Sequence, residues 1–172
     1  MSGSRPEHAA VRLALPLKRP WMWALAACAV AAVSEGLAGS EVGTRFSELV
    51  LPSFSPPLWA WAIIGVLYYV FFFFLLNSLL GSLPTPPLTM VALLLVTILL
   101  AANVTWNWLF FRERELWLST VFFVPYAAVA LTLAVVLFRL RSPLFSWYLL
   151  YIAYLVYAAW WGISLWRLNP GG

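Results

Sequence analysis

The chain contains no aspartate, one histidine, one cysteine and only 9% charged residues in a length of 172. Each shortage closes off a class of chemistry. A metal centre needs several His, Cys or acidic ligands at short spacing, and the one histidine, His8, stands alone in the polar amino-terminal segment. A Ser, His and acid relay fails for the same reason. Cys28 has no second cysteine to pair with, so no intrachain disulfide forms. No glycine-rich loop of the kind that cradles phosphate is present. Hydrolysis, phosphoryl transfer and metal catalysis therefore fall away: no residue is assigned a catalytic role, and no cofactor is required. Ten Lys and Arg against six Glu give a net charge of +4. They are too scattered to form a nucleic-acid face.

What the chain has in excess is hydrocarbon. Hydrophobic residues make up 64% and mean hydropathy is +0.91, where a soluble domain carries roughly 25% charged residues. The outer surface must itself be apolar, so the first partner is a lipid bilayer. Apolar runs long enough to cross about 30 Å of hydrocarbon fall at residues 21–39, 58–80, 88–111, 116–138 and 144–166. The expected fold is an all-α, five-helix transmembrane bundle over 21–169, with a polar tail at 1–20 and a short end at 170–172. Ser55-Pro56-Pro57, the stretch from Gly81 to Pro87, Arg112 to Glu115 and Arg139 to Pro143 mark tight breaks between helices. A transmembrane barrel would alternate apolar with polar residues, and Tyr68 to Leu76 does not. Lys18-Arg19 before the first run also fits a secretory signal. Counting Lys and Arg on the two sides gives six against four, with the excess on the amino-terminal side, which the positive-inside rule places in the cytoplasm.

Polar groups inside the spans carry the functional information, because each must face the bundle interior or a cavity. In the third run Asn103, Trp106, Asn107 and Phe110 recur at helical spacing and share one face. Such a stripe serves either as interhelical glue or as the wall of a small-molecule pocket. Most of the eleven Trp residues fall near helix ends, as an interfacial belt requires. Tyr151, Tyr154 and Tyr157 form a stripe in the fifth run that can donate to a neighbouring helix or to a ligand. Glu35 is the only carboxylate within a span; it is either an intramembrane acid with a function or, one turn from the helix end, a group that reaches the interface. Ala27, Ala31 and Ala32 offer a close-packing surface.

Three patches resemble the translocator proteins, also called tryptophan-rich sensory proteins or the TspO/MBR family. They are Leu51 to Trp61 with its Pro, aromatic, Pro-Pro, Trp pattern; Asn103-Val104-Thr105-Trp106 with Phe110-Phe111; and the closing Arg167-Leu168-Asn169. The Pro and Trp that follow in the family's second helix fall here on Ala62 and Gly65, and in the fifth run its Pro-Tyr and later Trp fall on Leu150, Tyr151 and Tyr154. The resemblance implies a five-helix membrane protein, commonly a homodimer and here placed in a bacterial cell membrane. Its bundle cavity would be capped by the loop after the first helix and would take porphyrins such as protoporphyrin IX, sterols or synthetic aromatic ligands. A flat conjugated ligand would stack on Phe54, Trp59 and Trp106, oriented by Asn103 and Asn107, with residues 40–55 as lid and Arg45 as a solvated residue on it. The leading expectation is a binding, transport or sensing protein for such a ligand. A structural or assembly subunit of a larger membrane complex, such as a pigment-protein complex, is the alternative. Light-dependent porphyrin degradation is a third reading, which the loss of family Trp positions at Gly65 and Tyr154 speaks against.

Overall fold

A computed structural model describes residues 19–39, 42–82 and 87–170. His8 and the rest of the tail up to residue 18, Ser40 and Glu41 of the expected lid, the break at 83–86 and the last two residues lie outside the described residues. The elements are α1 (Pro20–Ala38), a short α2 (Val42–Glu48), α3 (Leu58–Gly81), α4 (Pro87–Asn107) continued by a π-helical turn (Trp108–Arg112), α5 (Leu116–Arg139) and α6 (Phe145–Leu168). No strand occurs among the described residues. Five helices are long and apolar enough to cross a membrane, the third of them spanning Pro87–Arg112 with its π turn.

Hydrocarbon offers no partner for a bare N–H or C=O, so each span closes its backbone bonds within itself. Pro20 starts α1 where no intrahelical N–H is needed, and Gly39 ends it by donating to the Glu35 carbonyl at 2.9 Å. Around the bundle, α3 packs on α1, α1 on α4, α4 on α5 and α5 on α6. Aromatic rings close the circle between α6 and α3: Phe71 meets Tyr148 at 6.1 Å, Tyr68 meets Tyr151 at 5.9 Å and Trp61 meets Trp161 at 4.8 Å.

Lipid is as apolar as Leu, so close approach and interhelical hydrogen bonds hold the helices together. On α1 the buried small residues are Ala24, Cys28 and Ala31. Ala27, expected to share that surface, is exposed instead, turned by about 100° from the buried Cys28 that follows it. Aromatic donors supply many of the cross-links. The Tyr148 hydroxyl donates to the Ala130 carbonyl at 3.0 Å, the Trp106 indole to the Ser119 carbonyl at 3.1 Å and the Tyr68 hydroxyl to the Leu99 carbonyl at 3.3 Å.

The π turn is a local departure with a consequence. The Glu113 N–H reaches back five residues to the Trp108 carbonyl at 3.1 Å, widening the helix just where the aromatic pair sits. Phe110 turns fully inward and stacks on Trp106 at 5.0 Å, while Phe111 stands edge-on to it at 4.8 Å.

Candidate ligand cavity

A cavity of about 510 Å³ opens in the half of the bundle nearest the α1–α3 connection. Every transmembrane helix contributes to its wall, and α2 contributes Val42 and Phe46. The lining is mostly ring and hydrocarbon: Trp61 from α3, Trp106 and Phe110 from α4, Phe123 and Tyr126 from α5, Tyr154 and Trp161 from α6. The floor is built from Tyr68, Tyr126 and Tyr151, whose last two hydroxyls bond to each other at 2.7 Å.

One corner is polar. Glu35 on α1 accepts from the Tyr69 hydroxyl at 2.5 Å and from Asn103 Nδ2 at 2.9 Å, both on Oε2. Asn107, one turn further along α4, donates its own NH₂ to the Asn103 carbonyl at 3.0 Å. Three helices thus meet at one carboxylate, and Glu35 turns into the bundle toward partners.

Above the cavity the connection between α1 and α3 is fastened at several points. Arg45 donates to the Arg114 carbonyl at 2.9 Å. Asn169 grips Val50 from both sides, accepting from its N–H at 2.9 Å and donating to its carbonyl at 3.0 Å. The Tyr157 hydroxyl donates to the Phe54 carbonyl at 3.1 Å, and the Trp161 indole to Ser55 Oγ at 2.9 Å.

Arg45 is a correction. Expected as a solvated lid residue, it is 6% exposed. It has no part in the cavity wall, because its guanidinium turns to the α4–α5 turn, where Arg114 adopts a left-handed φ of 62° and presents its carbonyl. Burial, with Arg114 adding to it and Glu48 opposing, pulls the Arg45 guanidinium below its ordinary pKa.

Of the residues singled out for ligand contact, Asn103, Trp106, Asn107, Phe110, Tyr151, Tyr154 and Glu35 come together on the wall. Phe54 and Trp59 do not. Phe54 stacks on Trp160 at 4.2 Å, outside the cavity. Trp59 is 67% exposed, since two residues along a helix turn a side chain by about 200° and Trp61 takes the inward place. Sequence reasoning left Tyr69, Tyr126, Trp61 and Trp161 unassigned. The signal for Tyr69 was a hydroxyl deep inside a hydrocarbon run, which must find a partner. Among the described residues no three His, Cys, Asp or Glu side chains cluster as metal ligands.

A ring of five membrane-crossing helices around an aromatic-walled chamber, with a strapped connection on one side, defines a helical membrane protein with an internal cavity. The chain matches the TspO/MBR family model over residues 24–167, nearly its whole length, and belongs to that family. Comparison with curated proteins and with solved structures finds no match. Family membership supports a membrane ligand-binding, transport or sensing role.

Proposed function

We propose that the cavity is the binding site for a flat, conjugated, largely apolar ligand of the tetrapyrrole kind, which the protein carries or senses without transforming it. The observation that carries this reading is the wall itself. A volume of about 510 Å³ lies within the 300–1,000 Å³ usual for small-molecule sites, which are mostly apolar with a few oriented polar groups. Rings supplied by α3, α4, α5 and α6 favour a ligand with π faces of its own over a saturated sterol, because ring pairs gain about 0.5–1.5 kcal/mol beyond the area they bury. Among the described residues the cavity wall carries no Ser, Thr, Cys, Lys or His, and the Tyr69 hydroxyl beside Glu35 has no further group to orient it as a nucleophile, which is the reason for reading the site as a container.

Trp61, Trp106 and Trp161 line the cavity and act as internal reporters. Titrating the purified protein with protoporphyrin IX is expected to quench tryptophan fluorescence saturably. The double substitution Asn103→Ala with Trp106→Ala is expected to weaken the affinity by tenfold or more, about 1.4 kcal/mol. A linear, unsaturable response, or one that the double variant leaves unchanged, overturns the proposal.

A further inference from the structure

The polar corner has a direction. Tyr69 spends its hydroxyl and Asn103 one N–H on Glu35 Oε2, and Asn107 spends one N–H on the Asn103 carbonyl. The amide orientations follow from chemistry, since only an NH₂ can face a carboxylate or a carbonyl oxygen. Glu35 Oε1 and the side-chain oxygens of Asn103 and Asn107 accept from none of these donors, and each amide keeps a second N–H beside them. All three are acceptors once the carboxyl is ionised. Among the described residues no Lys, Arg or His lines the cavity, and Glu35 is the one carboxyl on its wall. The hydroxyls that can turn either way, Tyr154 and the Tyr126–Tyr151 pair, belong to α5 and α6.

From this inventory we infer that the site recognises its ligand through a hydrogen-bond donor, an ammonium or ring N–H presented to Glu35 Oε1, and rejects a carboxylate turned to the same corner. The inference rests on the cavity being the binding site, and it adds charge selection to the shape selection of the aromatic wall. A carboxylate placed there would meet a like charge and further acceptors in a medium that screens poorly. A cationic amine would meet its complement. A tetrapyrrole would enter with its propionates directed away from Glu35.

Three probes of one shape test this in neutral phosphatidylcholine nanodiscs: aminoacridine and acridine carboxylate, both substituted on the central ring, and uncharged methylanthracene. The wild-type protein is expected to bind the amine at least tenfold more tightly than the carboxylate. Glu35→Gln keeps an oxygen for Tyr69 and Asn103 but puts an NH₂ where Oε1 was, so it is expected to erase or invert that preference. Tyr69→Phe retains the charge and is expected to retain the preference, which supplies a second variant should the first fail to fold. Equal affinities for amine and carboxylate in the wild type, or a preference that survives Glu35→Gln, overturn the inference. If methylanthracene and protoporphyrin IX also fail to bind, the cavity reading falls with it; if they bind without charge preference, only the inference falls.

Discussion

Hydroxyl groups inside hydrocarbon must pair, and Tyr126 and Tyr151 pair with each other at 2.7 Å across α5 and α6. Both are buried beneath the cavity, so a lost partner is not replaced by bulk water. Interhelical hydrogen bonds in membranes average about 0.6 kcal/mol, and stranding a buried hydroxyl adds to that. Tyr126→Phe is therefore expected to lower stability by about 1 kcal/mol, a fall of roughly 2–4 °C in Tm, with ligand affinity nearly preserved. The hydroxyls are one shared bond, so Tyr126→Phe and Tyr151→Phe are not expected to add. A double variant melting no lower than the worse single variant supports the shared bond, and strictly additive losses contradict it.

At the scale of elements, α3 shows how a substitution can open space. A Cβ built on Gly65 meets nothing within 4 Å, although the residue lines the cavity. Gly65→Ala is expected to be tolerated, with a gain of up to about 1 kcal/mol from helix propensity. Gly65→Phe is expected to keep the fold and abolish saturable porphyrin quenching, because the ring has nowhere to lie except in the chamber. Retained affinity in that variant would place the ligand elsewhere.

The same helix shows what the sequence disclosed and what it hid. Five apolar runs bounded by Pro, Gly and charge made the bundle legible, because span length is a bilayer dimension. Which face of α3 looks inward was not legible: a lipid-facing side is as apolar as a packed one, so the periodicity that marks the core of a soluble protein is absent. The α4 stripe stood out only because its two amides are costly in hydrocarbon. Tyr68 and Tyr69 were hidden in an almost purely apolar stretch. The π turn around Phe110 had no local marker, and Arg45 needed a backbone carbonyl 69 residues away before its burial made sense.

At the scale of the molecule, the question is what keeps the chamber closed. Two kinds of fastening hold the connection above it, and magnitudes separate them. Arg114 and Glu48 form an ion pair at 3.1 Å, but both side chains are 42% exposed, and exposed pairs contribute about 0–1 kcal/mol. Glu48→Gln is accordingly expected to shift Tm by no more than about 2 °C and to leave ligand release unchanged. Asn169 is different. It satisfies both backbone groups of Val50 and anchors its own amide on the Leu165 carbonyl at 2.8 Å, so one side chain at the end of α6 pins a segment 119 residues earlier. Asn169→Ala removes all of these bonds without touching the cavity wall. It is expected to raise amide exchange at Val50 and to speed dissociation of bound porphyrin about tenfold, the equivalent of about 1.4 kcal/mol, with the association rate changed much less. Stopped-flow displacement reads both rates directly. An unchanged dissociation rate would mean that the ligand leaves without lifting this strap, and the exit would then have to lie between the helices.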